Sequence, residues 1–302
     1  MKHRKFLLVT IMALAIQSAS AYDFKVDDIA YNKNSDGTSV TVTYINQGYY
    51  LNYSSLSGDI NIPPSVAYSG TTYSVTSIDD FAFYSCKGIT SVTIPGSVTS
   101  IGYQAFFGCR GLTSVIIPNS VTSIGNGAFG YCSGLTSVAI PNSVTSIGDG
   151  TFERCSGLKS VTIPGSVTSI GYEAFDGCTA LASVALPSSV REIGTFAFYG
   201  CTGLARIDAY PNPEEISLGE SVFYNVPIDG TLHVLPGYLE AYQNADQWKD
   251  FTNIAGDLDE PASGDDDDNE NHNEYVTKYD VNGDGRVDVA DVVTLAGIAM
   301  GM

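Results

Sequence analysis

Apolar positions recur along the middle of the chain with a period of 23 residues. In the block from Val98 to Ser120 they are Val98, Ile101, Ala105, Phe106, Cys109, Leu112, Val115 and Ile117. Leu112, Val115 and Ile117 end in strand-like alternation, closed by Pro118, which has no N–H for a ladder. Gly102 permits a turn after Ile101, and Ala105-Phe106 begins a short turn or helical piece on the opposite side. Six such blocks run from Val75 to Asn212, the last with one extra residue before Pro211. One block cannot bury this apolar set alone, whereas stacked blocks give each Phe and Ile a neighbour above and below. Each large apolar side chain contributes roughly 1.5–3 kcal/mol when buried, so several per rung outweigh chain entropy only in a stack. A fixed period in this range with an L-x-x-V-x-I strand signature predicts a repeat solenoid.

The repeated text, S-I-G-x-x-A-F-x-x-C-x-x-L-x-S-V-x-I-P-x-S-V, covers residues 75–212 almost without departure. It resembles the BspA-like leucine-rich-repeat proteins of bacterial surfaces. That resemblance implies a right-handed α/β leucine-rich-repeat solenoid, with short strands on one face and short helical turns on the other. It also implies binding to proteins or host surfaces, and it brings no catalytic residues. The ends of such a stack need caps. Residues 22–74 read as a divergent N-terminal cap, with alternation at Thr38–Ile45 and an echo of the repeat at Ile62-Pro63-Pro64-Ser65-Val66. Residues 213–256 read as a degenerate last coil and a closing segment, because Phe223 follows Phe198 by 25 residues and Leu232-x-Val234-x-Pro236 echoes the strand. Trp248 fits there as a cap-packing residue.

Cys86, Cys109, Cys132, Cys155, Cys178 and Cys201 are each 23 residues apart. Six cysteines in an exported chain suggest disulfides, but this spacing puts every one at the same place in its coil. Parallel side chains at a strand spacing of about 4.8 Å fit a disulfide poorly. A buried free-thiol ladder is the expectation, and a row of thiols is not a tetrahedral metal site.

The 302 residues hold 14 Lys+Arg and 33 Asp+Glu, for a net charge of −19. This deficit of cations excludes phosphate-backbone recognition and docking on an anionic membrane surface. Residues 1–21 read as a signal peptide: Lys2, Arg4 and Lys5 precede an apolar run from Phe6 to Ile16, and Ala19-Ser20-Ala21 is a cleavage site. Cleavage after Ala21 places the protein outside the cell or at its surface. No later run is long enough to span a bilayer. His233 and His272 have no partner at ligand spacing, no nucleophile or phosphate-loop motif occurs, and near-identical rungs offer no cleft for paired carboxylates, so no enzyme is expected.

The charge is uneven. From Asp257 onward there are 13 acidic and 2 basic residues, whereas Val75 to Asp208 holds 8 and 6. Residues 257–274, with the run Asp265–Asp268, read as a self-repelling linker. Beyond it, Asp280, Asn282, Asp284, Asp288 and Asp291 occupy positions 1, 3, 5, 9 and 12 of a calcium loop. Gly285 stands at position 6, where the loop turns, and Arg286 at position 7 offers its carbonyl. Ca²⁺ is the cofactor this spacing predicts, in a small helical EF-hand-like module over residues 275–302. The Asp at position 12 and the single following helix resemble one half of a type I dockerin, a family that binds cohesin modules in extracellular polysaccharide-degrading assemblies. A dockerin has two such repeats and this tail has one.

For partner contact the strand face is poor: Thr90, Thr113, Thr136, Lys159 and Ala182, flanked by serines, lack the aromatic and Arg anchors of interface hot spots. Variation concentrates around the A-F pair instead. Tyr103, Tyr131, Tyr172 and Tyr199 there form either a binding edge or packing between neighbouring turns. The expected function is a secreted or surface-displayed module that binds another protein or a surface glycan, with a calcium-stabilised tail. The alternative is a non-catalytic component of a polysaccharide-degrading complex, recruited to a cohesin-like module through that tail.

Overall fold

A computed structural model of the chain describes residues 22–44 and 56–259. The signal segment, residues 260–274 of the linker, and the calcium loop with its helix lie outside the described residues.

Each 23-residue block closes one three-sided coil. The first side is a short parallel strand built on Ser-Ile. Ser77 and Ile78 pair with Ser100 and Ile101, and these pair with Ser123 and Ile124. The same register resumes at Ser146–Ile147, Ser169–Ile170, Glu192–Ile193 and Ser217–Leu218. The second side is a Ser-Val strand: Gly88–Thr93 pairs with Ser114–Ile116, Ser137–Ala139 with Ser160–Thr162, and Ser183–Leu186 with Arg206–Ala209. Strand alternation turns Val115 and Ile117 inward, and the bends before each strand bring in residues three positions earlier. Val98 and Ile101 are buried and Thr99 is exposed; Leu112 and Val115 are buried and Thr113 is exposed.

Coil material continues past the six blocks at both ends. Ser39–Thr43 pairs in parallel with Thr71–Ile78, and Ser57–Asn61 with Gly88–Thr93. Antiparallel hairpins then cover the N-terminal end, with Phe24 stacked 4.2 Å from Tyr68. At the other end Arg206–Ala209 pairs with Thr231–Val234, which pairs with Asn253–Ala255.

The third side is not helical, which corrects the expected short helical turns. Half of its N–H groups leave the coil. Gln104, Phe106 and Gly108 donate to the carbonyls of Asn126, Ala128 and Gly130 in the next coil, at 3.0, 2.8 and 2.8 Å. The residues between them, Ala105, Phe107 and Cys109, close local turns on Gly102, Gln104 and Phe106. Sending alternate N–H groups along the solenoid axis requires left-handed backbone twice per coil: Gln104 and Gly108, then Gly127 and Tyr131, Gly150 and Arg154, Glu173 and Gly177, Phe196 and Gly200. An α-helix directs every N–H along its own axis, so the ladder and the helix exclude each other here. The only α-helix among the described residues is Leu239–Asn244, in the C-terminal cap.

The glycine after each Ile has a different duty. A Cβ on Gly102 would stand 2.5 Å from the Asp80 nitrogen of the preceding coil, so this glycine permits close backbone approach rather than an unusual φ.

The core is a set of columns. Phe83, Phe106, Phe129, Phe152, Phe175, Phe198 and Phe223 stack one beneath the next, with centroids 5.0–5.9 Å apart. Trp248 ends the column 4.7 Å from Phe223 and is fully buried. Tyr242 secures the cap by donating its hydroxyl to the Pro211 carbonyl at 2.7 Å. Six buried cysteines line the same interior without a disulfide. From Cys109 to Cys201 each thiol donates to the carbonyl of the preceding coil's Phe, at 3.0–3.2 Å.

Candidate functional site: the turn side of the solenoid

The three sides differ in what they leave free. On the Ser-Ile side, Thr99, Thr122 and Thr168 are exposed, yet their hydroxyls donate to the carbonyls of Thr76, Thr99 and Thr145 one coil back. On the Ser-Val side, Thr113 and Thr136 do the same to Thr90 and Thr113. Ser120, Ser166 and Ser189 likewise donate to Val98, Val144 and Val167 at 2.6–2.7 Å. Where Thr and Ser occupy the strand sides, their hydrogen-bonding capacity is partly spent on the stack; Lys159, Glu192 and Arg206 are longer exposed side chains there.

The turn side carries the aromatic side chains, in two clusters. Near the N-terminal end, Phe81 contacts Tyr103 at 5.3 Å and Tyr84 at 5.8 Å, Tyr84 stacks on Phe107 at 5.3 Å, and Phe107 meets Tyr131 at 4.9 Å. Near the C-terminal end, Phe196 contacts Tyr172 at 6.0 Å and Tyr199 at 5.4 Å, and Tyr199 stacks on Tyr224 at 5.2 Å. The four tyrosines singled out from the sequence divide between these clusters. Tyr103 and Tyr172 are 42% and 45% exposed, whereas Tyr131 and Tyr199 are half-buried between coils. Inter-turn packing and surface presentation thus fall to different members of the set. Tyr224, 57% exposed, belongs with them. It follows Phe223 as Tyr199 follows Phe198, but the 25-residue interval hides it from a strict 23-residue count.

Between the clusters lies a charged band. Arg154 Nε is 3.0 Å from Asp176 Oδ2, and Asp176 is buried. Burial raises the carboxyl pKa of Asp176 and of Glu153 despite the nearby guanidinium. A hydrogen bond to Glu153 raises the Tyr131 hydroxyl, and one to Glu173 raises that of Tyr172. Two further carboxylates are structural: Asp80 accepts the Tyr103 N–H at 2.6 Å, and Asp149 accepts the Tyr172 N–H at 2.8 Å. Aromatic rings beside carboxylates suit contact with a partner surface, since buried rings anchor interfaces and carboxylates set charge preference. Among the described residues no group of three or more His, Cys, Asp or Glu could hold a metal ion, and no helix is long and apolar enough to cross a membrane.

The repeat pattern matches the BspA type leucine-rich repeat region in six copies, over residues 71–182 and 123–233. The chain belongs to this family. Two solved structures are similar. The T. pallidum leucine-rich repeat protein is 29% identical with a TM-score of 0.57, over 68% of this chain and 91% of that one. A leucine-rich cell surface protein from Faecalibacterium prausnitzii is 28% identical with a TM-score of 0.50, over 74% of this chain and 73% of that one. No curated protein matches the chain. In this BspA-type repeat the shared letters are the inward columns and the close-approach glycines. Letters vary on the turn side, where Phe81, Gln104, Gly127, Gly150, Glu173 and Phe196 fill one and the same slot, and also on the Ser-Val side, where Lys159 and Ala182 replace Thr.

Proposed function

We propose that the protein is an exported, surface-associated and non-catalytic binding module whose turn side engages another protein or a surface glycan. The supporting observation is the placement of aromatic rings: the exposed tyrosines of the coils lie on the turn side, while the Thr and Ser hydroxyls of both strand sides serve the stack. Site-specific photo-crosslinking tests it. A photoreactive residue at Tyr103 or Tyr172 should form adducts with surface extract, and one at Thr113 or Thr122 should not. Adducts from the threonine positions alone would reverse the assignment. Tyr103, Tyr131, Tyr172 and Tyr199 together replaced by Ala, with folding intact, should abolish the captured contact.

A second component of the reading concerns the tail. Asp280, Asn282, Asp284, Asp288 and Asp291, with the Arg286 carbonyl, are spaced to supply the oxygen ligands a calcium ion takes. Titration calorimetry with calcium on the full chain should show one site that Asp284→Ala removes. If the tail alone recruits a cohesin-like module in a calcium-dependent pull-down, the protein is a non-catalytic component of a polysaccharide-degrading complex. If the solenoid alone recruits the partner, the turn-side reading holds.

A further inference from the structure

The turn-side ladder runs in one direction and ends unfinished. In the sixth coil Phe196, Phe198 and Gly200 donate their N–H groups to the carbonyls of Glu220, Val222 and Tyr224, at 3.0, 3.1 and 2.8 Å. The equivalent donors of the seventh coil are Ser221, Phe223 and Asn225, and Ser221 and Asn225 hold the same left-handed backbone, φ +52 and +60. None of these three N–H groups has an acceptor among the described residues. The cap closes the core but not this ladder. Trp248 covers Phe223, and the Gln247 side chain stands in for backbone, accepting the Val222 N–H at 2.8 Å and donating to the Gly219 carbonyl at 2.7 Å. Where a further coil would lie there is instead a groove of about 330 Å³, lined by Ser221, Phe223, Asn225, Tyr224, Ile228 and Asp250. Tyr224 and Ile228, at 57% and 50% exposed, are the most exposed large apolar side chains among the described residues.

We infer that this end groove binds a basic segment of another protein that takes up the turn conformation of a further coil, so that its carbonyls at alternate residues continue the ladder. Three main-chain donors at positions i, i+2 and i+4 match alternate carbonyls of a segment turned as Asn126–Gly130 is against Gln104–Gly108, just as open ladder edges capture a matching chain. The lip sets the charge. Glu220, Asp229, Asp246 and Asp250 are exposed around the cap, and Lys249, the cation among them, is bonded to Asp246. The protein's own residues 260–302 carry 11 acidic and 2 basic residues and are repelled by such a lip, as is a second copy of a chain with net charge −19. The inference does not depend on the Tyr103 and Tyr172 surface.

The probe is an acetylated and amidated peptide, Lys-Gly-Lys-Ile-Lys-Gly-Lys, with its glutamate counterpart as control, titrated into the ¹⁵N-labelled full chain. The lysine peptide should move the Ser221, Phe223 and Asn225 amides downfield and slow their hydrogen exchange about tenfold or more. Asp250→Lys, an exposed substitution, should weaken it at least about fivefold. Equal binding of the glutamate peptide, no shift at millimolar lysine peptide, or shifts confined to the Tyr103 and Tyr172 region would each overturn the proposal. So would protection of these three amides in the peptide-free chain: concentration-independent protection would assign the groove to the chain's own tail, and concentration-dependent protection to a second copy.

Discussion

Gly125 and Gly127 stand two residues apart in one coil for unrelated reasons, and replacing each by Ala separates them. A Cβ on Gly125 would lie 2.6 Å from both the Gly102 carbonyl carbon and the Tyr103 nitrogen. Those are backbone atoms of the neighbouring coil and cannot rotate aside. Relieving the overlap to ordinary contact requires the coils to part by about 0.8 Å. The Gly125 N–H to Ile101 carbonyl bond, 2.8 Å at rest, then opens to roughly 3.6 Å, outside bonding range. An unsatisfied bond costs about 1–3 kcal/mol and overpacking about 1–3 kcal/mol, so Gly125→Ala should lose about 2–6 kcal/mol. Gly127 has φ +65 and its Cβ would meet only the flexible Gln104 side chain, at 3.0 Å. Gly127→Ala should lose about 1–2 kcal/mol, the left-handed penalty alone. Urea unfolding followed by circular dichroism, with both variants on the full chain, measures the difference. If Gly127→Ala proves as damaging as Gly125→Ala, close approach is not what places glycine after each Ile.

Phe129 is fully buried between Phe106 at 5.3 Å and Phe152 at 5.7 Å, so Phe129→Ala should destabilise by about 3–5 kcal/mol in the same assay, and a loss under about 1.5 kcal/mol would contradict the stacked column. Burial pushes the Cys155 and Cys201 thiols up to about 12, so a thiol reagent at neutral pH should leave the folded protein unmodified and label all six cysteines on unfolding; equal labelling rates in both states, read by mass spectrometry, would refute the buried ladder. Asp36 accepts the Ser39 hydroxyl at 2.6 Å and the Thr38 and Ser39 N–H groups at 2.7 and 2.8 Å, which hold its carboxyl down at about 2. A depressed carboxyl stabilises above its unfolded value of 3.8, and that contribution is lost as pH falls toward 2. Asp36→Asn should therefore flatten the acid limb of the pH–stability profile; an unchanged limb would show the N-terminal turn does not depend on this charge.

What could be read from the letters was whatever the stack repeats. Phe106, Phe129 and Phe152 recur because each needs an identical neighbour, and Val98, Ile101, Leu112 and Val115 recur because each faces the interior at the same place in every coil. The turn side defeated the same reading. Ala105-Phe106 suits a helix start as well as it suits this turn, and the deciding fact is where alternate N–H groups go, which exists only between coils. The left-handed slots carry no common residue type, so nothing in the text marks Gln104, Glu173 or Phe196 as left-handed. Gly102 was legible as glycine but not in its purpose. The open donors at Ser221, Phe223 and Asn225 become visible only once the ladder's direction is known.

That same geometry favours the turn side for the proposed contact. On the strand sides a changed Thr, as at Lys159 and Ala182 in the Ser-Val column, forfeits a side-chain bond to the coil behind it. On the turn side the ladder is made by backbone, and the side chains between its rungs point outward with only local demands. One such demand is that Gly130 stays bare beneath Phe107, whose ring would lie 2.9 Å from a Cβ there. Within such limits each coil can carry its own chemistry. Tyr103 and Tyr172 are three coils apart, roughly 14 Å at strand spacing, and the span from Tyr84 to Tyr224 is six coils, roughly 29 Å. A partner that covers both clusters and the Arg154–Asp176 pair between them therefore needs a footprint of about 800 Å², that of an ordinary stable interface. For a partner seated on one cluster alone, alanine at only one of Tyr103 and Tyr172 should abolish contact.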